Sequence, residues 1–364
     1  MRAGYFPELG VAEFRSDMPE PQIRYDKDVK IRIRKCGICG SEVHALHGMH
    51  PFRIPPVLSG HEFAGDVVEV GKGVTKFKPG DRVTGEPQYG CGECYYCKHG
   101  MYNLCTSKRV LGASYKVPEL DNGEWTGSMG EYIVVPEKTV VKLADNVSYE
   151  EGALIEPVAN GIYAVRRANI TPESTVAIIG CGPIGLGDLI GAQLYGPKLI
   201  VAADVSEINL KMAREFGCKN VVDSSKQDLE EVISELTDGV GVDMVFLGFG
   251  NEAVLEQACR IVRRGGTVHQ HALMLEGGQL VQHALMEDGI GFPYRIHQQH
   301  ELSFKAYNMY KYEEFELICD EIARGRISGL ERMVTHRYPI EEFKQAMEMA
   351  DKRPEPVVKV MLDF

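Results

Sequence analysis

Long apolar runs and basic residues are both scarce in this sequence. No segment reaches the roughly 18 to 20 apolar residues that a membrane-spanning helix needs, and residues 1–10 lack the apolar core of a secretory signal peptide. Lys and Arg together number 40 against 52 Asp and Glu, a formal net charge of -12. That balance disfavours binding to a phosphate backbone. We therefore expect neither a membrane nor a nucleic acid as a partner.

Cysteine is sparse as well, with 10 residues in a chain of 364, which excludes a small disulfide-rich scaffold. Four of the ten nevertheless cluster, at Cys91, Cys94, Cys97 and Cys105. The spacing Cys-x2-Cys-x2-Cys-x7-Cys is typical of a structural zinc site with four thiolate ligands. Because such ligands must stay reduced, and because no signal peptide is present, we expect the protein in a reducing cytoplasm.

A second group of metal-binding residue types lies upstream of this cluster. Cys39 is followed by His61 and Glu62, which stand in the run Gly60-His61-Glu62. A thiolate, an imidazole and a carboxylate leave zinc with an open coordination position, which distinguishes a catalytic site from a structural one. Taken singly, a His or a Cys is more often a core residue. The prediction of a catalytic zinc therefore depends on the three residues together.

A dinucleotide-binding fingerprint follows an apolar strand at residues 176–179. In this G-x-G-x-x-G motif Gly180 permits a tight turn, Gly182 allows a pyrophosphate to approach the backbone, and Gly185 lets helix and strand pack closely. About 20 residues further on, Asp204 ends the next predicted strand, where a carboxylate can bind the adenosine ribose hydroxyls. The cofactor-binding residues predicted from this pattern are Gly180, Gly182, Pro183, Ile184, Gly185 and Asp204.

The position of Asp204 favours NAD over NADP. A 2'-phosphate would meet like charge at this carboxylate, and no arginine follows it directly, the nearest on the predicted helix being Arg214. The strand, glycine-rich turn and helix pattern repeats at residues 199–204, 221–223, 242–248 and 266–271, whereas the first 150 residues look mostly β. The sequence therefore predicts an α/β protein with a parallel, doubly wound sheet in its second part.

The run Gly60-His61-Glu62-x2-Gly65-x5-Gly71-x2-Val74 resembles the signature of the zinc-dependent medium-chain alcohol dehydrogenase family. Glu156-Pro157 is similar to the sorbitol, butanediol and threonine dehydrogenase branch. The resemblance implies a GroES-like, partly closed β-barrel catalytic domain at residues 1–157 and 299–364, with the cysteine lobe at about 88–108. It also implies a Rossmann NAD-binding domain at residues 158–298, two zinc ions per chain, and a homodimer or homotetramer.

The same resemblance assigns roles around the predicted catalytic zinc. Cys39, His61 and one or both of Glu62 and Glu156 hold the metal, and the choice of carboxylate stays open. Ser41 and His44 match the relay that carries the alcohol proton toward solvent. One departure is Glu42, because most relatives have Asp there to orient the zinc-bound imidazole. Two further histidines, His47 and His50, are predicted to be rim residues.

The leading function implied is hydride transfer between NAD(H) and a small-molecule substrate, the secondary alcohol or ketone of a polyol, cyclitol or sugar. Two departures motivate an alternative, a bulky apolar alcohol such as a hydroxysteroid: a longer loop at residues 113–129, and Met309 where sorbitol dehydrogenases have an arginine. A noncatalytic zinc and nucleotide binder is the alternative of another class, and the retained ligand residues disfavour it. The segment 275–300 is expected to contribute to a subunit interface.

Overall fold

The structure, a computed structural model, describes residues 1–113, 126–271 and 293–364, together with strands Leu275–Glu276 and Gln279–Leu280. Its chain divides into two compact units. Unit 1 comprises Met1–Glu156 and Lys311–Phe364, and unit 2 comprises Pro157–Tyr310. Most of the loop at 113–129 and much of the segment at 275–300 lie outside the described residues, so the roles predicted for them stay predictions.

Unit 1 begins with a series of strands interrupted by short helices. In chain order they are β1 Ala3–Tyr5, β2 Glu13–Arg15, β3 Asp28–Ile38, α1 Gly40–Leu46, β4 Glu62–Val70, β5 Arg82–Gly85, β6 Gln88–Tyr89, α2 Tyr95–Lys98, β7 Arg109–Val110, β8 Tyr132–Pro136, β9 Val140–Lys142 and α3 Tyr149–Arg166, with 3-10 turns at Tyr102–Leu104 and Glu137–Thr139. The boundary between the units falls inside α3.

Unit 2 alternates strands and helices. Its elements are β10 Thr175–Ile179, α4 Pro183–Gln193, β11 Leu199–Asp204, α5 Glu207–Glu215, β12 Asn220–Asp223, α6 Leu229–Leu236, β13 Val242–Leu247, α7 Glu252–Ile261, β14 Val262–Gln270, β15 Leu275–Glu276, β16 Gln279–Leu280, α8 Tyr294–Gln299 and β17 Ser303–Ala306. Unit 1 then resumes with α9 Tyr312–Ala323, β18 Val334–Pro339, α10 Phe343–Lys352 and β19 Lys359–Asp363, with 3-10 turns at Leu330–Met333 and Ile340–Glu342.

A seven-stranded sheet organises unit 1, in the order β18-β19-β3-β4-β5-β9, with β8 paired to β3. Strand β3 is central because β19, β4 and β8 all pair with it in antiparallel register. Its apolar residues Val29, Ile31 and Ile33 are fully buried in the core. The last strand of the chain therefore completes the sheet that the first strands begin.

A six-stranded parallel sheet forms the centre of unit 2, in the order β12-β11-β10-β13-β14-β17. The first strand lies in the middle and the chain winds outward in both directions, which is the doubly wound arrangement expected from the sequence. Buried residues of β10, β11 and β13, such as Ala177, Val201 and Val245, form its core. Within the described part of the chain, no helix combines the length and apolarity needed to cross a membrane.

Candidate metal centres and nucleotide site

The four cysteines of the lobe converge on one point. The Sγ atoms of Cys91 and Cys97 are 4.0 Å apart, those of Cys94 and Cys105 are 3.7 Å apart, and all four lie within 4.8 Å of one another. A tetrahedral zinc with Zn–S bonds of about 2.3 Å requires sulfurs about 3.8 Å apart. The donor set and its spacing therefore fit a four-thiolate zinc.

Backbone amides stabilise the charged form of Cys91, whereas burial raises the pKa of Cys97 to about 12. The amide of Cys94 donates to the Cys91 sulfur at 3.4 Å, and the amide of Ser107 donates to the Cys105 sulfur at 3.4 Å. Hydrogen bonds from the backbone at Glu93 and Cys94 lower the pKa of Cys91 to about 6. Since the thiolate is the form that ligates metal, this geometry favours metal binding by the lobe.

A buried carboxyl group ties the lobe to the rest of unit 1. The hydroxyl of Tyr102 donates to Glu86 Oε2 at 2.8 Å and accepts from the backbone amide of Tyr312 at 2.6 Å. Glu86 is almost fully buried, and this burial raises its pKa to about 8. The Tyr102 hydroxyl thus attaches the lobe both to Glu86 and to the start of α9.

The second group of candidate ligands is assembled around His61. Cys39 stands at the junction of β3 and α1, His61 and Glu62 at the start of β4, and Glu156 in α3. The ligand atoms of His61, Glu62 and Glu156 lie within 4.8 Å of one another, and so do those of Cys39, Glu42 and His61. His61 Nε2 is 3.9 Å from Glu156 Oε1. Three separate elements of unit 1 therefore bring together the residue types predicted for a catalytic zinc.

Glu42 fixes the orientation of the His61 ring. Its Oε1 lies 3.0 Å from His61 Nδ1 and accepts from the Ser59 hydroxyl at 2.9 Å, while its Oε2 accepts from the Cys39 amide at 3.1 Å. Because a carboxylate only accepts, Nδ1 carries the proton and Nε2 keeps its lone pair for a metal. Burial alone would raise the pKa of Glu42, but His61 and Arg53 outweigh it and lower that pKa. The extra methylene of Glu42 therefore does not prevent the contact that a shorter Asp would make.

The glycine-rich turn of unit 2 has the geometry that a bound pyrophosphate requires. Gly180 adopts a φ of 90°, and a Cβ on Gly185 would lie 1.8 Å from the Gly180 carbonyl oxygen. Helix α4 starts at Pro183, so its first amides face the turn. Asp204 accepts from the Cys181 amide at 2.6 Å and from the Ser206 amide at 2.8 Å. Asp204 thus ends β11 beside the turn, and its contact with the adenosine ribose stays a prediction.

Comparison with known proteins identifies the family of this chain. The alcohol dehydrogenase GroES-like domain matches residues 25–145, and the zinc-binding dehydrogenase model matches residues 183–324. Sorbitol dehydrogenase of Bacillus subtilis strain 168 is 33% identical over 349 residues, 95% of this chain and 92% of the relative. The chain belongs to the zinc-dependent medium-chain alcohol dehydrogenase family, in its polyol branch. It is accordingly an oxidoreductase, and the expected GroES-like and Rossmann folds are confirmed.

Two further proteins are similar to this chain over most of their length. D-arabitol-phosphate dehydrogenase of Enterococcus avium is 32% identical over 350 residues, 95% of this chain and 92% of the relative. A crystal structure from Sinorhizobium meliloti 1021, described as a zinc-binding dehydrogenase bound to NADP, is 29% identical with a TM-score of 0.83. The similarity covers 100% of this chain and 99% of that one. This medium-chain dehydrogenase is therefore similar to its relatives over nearly its whole length.

Sequence reasoning missed Arg53, a buried cation of this dehydrogenase. Its guanidinium lies 3.2 Å from His61 Nδ1 and 3.0 Å from His50 Nε2, and its Nε is 3.4 Å from Glu42 Oε1. The prediction that His50 is a rim residue is wrong, because His50 is buried and its Nδ1 accepts from the Arg53 amide. Burial and the adjacent Arg53 lower the pKa of His50 to about 3. His47, in contrast, is exposed and lies 2.8 Å from Asp351.

Lys359 is the second residue that sequence reasoning missed. Its Nζ donates to both oxygens of Glu62, at 2.7 and 2.8 Å, and to the Ile38 carbonyl at 3.3 Å. Glu62 has no exposed surface and Lys359 very little. The two residues are 297 positions apart in the chain, so no local pattern could have paired them. Both carboxylate oxygens of Glu62 are therefore already engaged.

The two predicted relay residues both lie on α1. The Ser41 hydroxyl donates to Glu42 Oε2 at 3.3 Å, which ties it to the group that orients His61. His44 is half-buried, and its Nδ1 has no hydrogen-bond partner among the described residues. Burial and the nearby His47 lower the pKa of His44. A neutral imidazole with an unused ring nitrogen is compatible with proton transfer, and the relay role of both residues stays a prediction.

Proposed function

We propose that this chain is an NAD-dependent zinc dehydrogenase that interconverts a secondary alcohol of a polyol, cyclitol or sugar with the corresponding ketone. The single observation that carries the proposal is the convergence of a thiol, an imidazole and a carboxylate at the His61 ring, whose Nε2 lies 3.9 Å from Glu156 Oε1 while Glu42 contacts Nδ1. That donor set leaves zinc a coordination position for substrate.

Cys39, His61 and Glu156 are the residues that we propose as ligands of the catalytic zinc. Glu62 is the weaker candidate because Lys359 binds both of its oxygens. A bound zinc ion would supply Lewis acidity toward the substrate oxygen. NAD, when bound, would accept a hydride from the carbinol carbon, and Ser41 and His44 would carry the hydroxyl proton, by way of the cofactor ribose, toward solvent. The products are the ketone, NADH and a proton.

NAD is proposed over NADP on the basis of charge. The Asp204 carboxylate would face the 2'-phosphate of NADP, which raises the free energy of that complex. Arg214, the arginine of α5, already pairs with Glu207 at 2.9 Å. The Sinorhizobium relative is described as bound to NADP, so the proposed preference for NAD rests on Asp204 and not on that relative.

The four-cysteine lobe is proposed to hold a second, structural zinc. All of its coordination positions would be taken by Cys91, Cys94, Cys97 and Cys105, which leaves none for substrate. Because these thiolates must stay reduced to bind metal, we also propose a reducing cytoplasm as the location of the protein. The family also supports a homodimer or homotetramer, which light scattering on the purified protein would test.

A substrate panel tests the proposed function. Polyols, polyol phosphates, cyclitols and hydroxysteroids are offered to the purified protein with NAD or NADP, and formation of reduced cofactor is recorded. We expect turnover of at least one polyol-type alcohol, with NAD preferred, and loss of that turnover in Cys39→Ala. Cys259→Ala, which changes a buried thiol of α7, is the matched control. Turnover of hydroxysteroids alone would reject the polyol proposal, and full activity of Cys39→Ala would reject the proposed zinc site.

A further inference from the structure

Asp188 and His271 form a buried pair in unit 2 that the proposed reaction does not use. Asp188 lies in α4, and His271 directly follows β14. Asp188 Oδ2 is 2.9 Å from His271 Nε2, and neither side chain has exposed surface. The other buried residues of α4 are apolar or glycine. An acidic group in such surroundings is costly unless it is partnered, so the pair needs a specific explanation.

The surroundings of this pair contain several buried polar atoms without partners. Asp188 Oδ1, His271 Nδ1 and His269 Nε2 make no hydrogen bond to any described residue. His269 Nδ1 lies 2.8 Å from the Tyr307 hydroxyl, and its ring stacks on Phe246 at 4.6 Å. Buried polar atoms without partners are rare in native proteins, and each calls for a specific explanation.

This polar cluster lies at the carboxyl ends of two neighbouring parallel strands. Tyr307 follows β17, and its amide donates to the carbonyl of Gln270, the last residue of β14. In a doubly wound sheet ligands bind beyond the carboxyl ends, and each half of the sheet binds one mononucleotide. In the half containing β10, β11 and β12, strand β11 ends at Asp204, the carboxylate that we propose for the adenosine ribose. The half containing β13, β14 and β17 is then left for nicotinamide.

We propose that Asp188 and His271 are positioning residues that hold the carboxyl end of β14 in place for the nicotinamide half of the cofactor. This inference rests on the proposed function. The whole His271 residue is 9% exposed, whereas its side chain is not exposed at all. The exposed part of His271 is therefore its main chain. The pair acts through that main chain, because its side chains are enclosed and cannot touch a ligand.

Helix α4 is a suitable anchor because it cannot shift easily. A Cβ on Gly161 of α3 would lie 2.3 Å from the Asp188 amide, so the two helices pack backbone to backbone at this level. The same helix begins at the glycine-rich turn expected to bind the pyrophosphate. Asp188 therefore links the end of β14 to the helix that fixes the centre of the dinucleotide.

Binding of whole and truncated cofactor tests the inference. Dissociation constants for NADH and for ADP-ribose, which lacks nicotinamide, are measured by calorimetry with the wild-type protein, Asp188→Leu and Asp188→Asn. We expect Asp188→Leu to weaken NADH binding about tenfold, the effect of one lost charged hydrogen bond, and to leave ADP-ribose binding unchanged. Asp188→Asn keeps an acceptor for His271 and should bind both ligands normally. Ile233→Ala, a buried change in α6, controls for general destabilisation.

The possible outcomes separate this inference from the proposed function. Equal weakening of both ligands by Asp188→Leu, or no weakening of either, would overturn the positioning role. If Asp188→Leu does not fold, the double variant Asp188→Leu/His271→Leu removes both partners together and leaves no orphaned group; selective loss of NADH binding would then support the inference, and unchanged binding would overturn it. A wild-type protein that binds neither ligand would instead refute the proposed function.

Discussion

At the scale of single residues, the charges around His61 are arranged in opposite pairs that water does not reach. Glu62 faces Lys359, and Glu42 lies beside Arg53. Removal of one partner from such a pair typically costs about 3 to 5 kcal/mol, because the remaining charge stays buried. The candidate zinc ligands are therefore surrounded by groups whose loss would alter stability as well as chemistry.

Glu86 gives a pH-dependent prediction at this scale. Its pKa is raised by burial from an ordinary 4.5 to about 8, so the folded protein holds the proton more tightly than the unfolded chain. Stability from this group is full below pH 4.5 and falls as the pH rises toward 8, by up to about 1.4 kcal/mol per pKa unit. We expect Glu86→Gln, which stays neutral, to flatten this decline in urea denaturation between pH 5 and 8.

The control for this change is Glu93→Gln, which alters an exposed carboxylate of the same region. It should leave the pH dependence of stability as in the wild-type protein. An equal decline with pH in Glu86→Gln and in the wild-type protein would show that Glu86 is not the group responsible.

Much of the candidate site could be predicted from the sequence at this scale, but its partners could not. Cys39, His61 and the four lobe cysteines were recognisable because metal ligands have characteristic types and spacings. Arg53 and Lys359 are not metal-ligand residue types, and they stand at no characteristic spacing from the acids that they contact. A cation becomes a partner of a buried acid only when the fold brings the two together, and Lys359 is separated from Glu62 by most of the chain.

At the scale of elements, the helices of unit 2 differ in whether a capping side chain accepts a hydrogen bond from the amides of the first turn. Asn251 caps α7, and its side chain accepts from the Val254 amide at 2.8 Å. Ser206 precedes α5 without a side-chain hydrogen bond of this kind. Since a capping side chain stabilises a helix start by about 1 kcal/mol, two similar positions should respond differently to alanine.

We expect Asn251→Ala to increase hydrogen exchange of the first-turn amides of α7 about fivefold, which corresponds to about 1 kcal/mol. Ser206→Ala should change the exchange of the α5 amides by less than about twofold. Equal effects of both substitutions, measured by mass spectrometry of the exchanged protein, would contradict the assignment of Asn251 as the cap.

The elements themselves were easier to predict than the metal site. The strand predicted at 199–204 is β11, and the one predicted at 242–248 corresponds to β13. Apolar patterns and glycine turns are local, so they are visible in one sequence. The pairing of β19 with β3 is not local, and the resemblance to the family implied only that the last part of the chain returns to the first domain.

At the scale of the whole molecule, the proposed metals should be separable by substitution. Elemental analysis should find about two zinc ions per wild-type chain, one for each ligand group. Cys39→Ala should keep about one zinc and a normal melting temperature, whereas Cys94→Ala should keep about one zinc and melt lower, because three thiolates cannot close the lobe site. The control Cys259→Ala should keep both zinc ions.

If Cys94→Ala alone lost both zinc ions, zinc binding at the His61 site would depend on an intact four-cysteine lobe. Fully active wild-type protein without bound zinc would contradict both sites.

The pairing of β19 with β3 has a consequence for synthesis of the protein. While a ribosome is still translating unit 2, residues 35–38 of β3 have no partner on the edge that β8 already covers at residues 28–32, and Glu62 has no counter-charge, because β19 and Lys359 follow unit 2 in the chain. Unit 1 therefore completes this sheet, and Glu62 gains its counter-charge, only after unit 2 has been synthesised. Until then the open part of β3 is the kind of unpaired sheet edge at which folding chains associate wrongly.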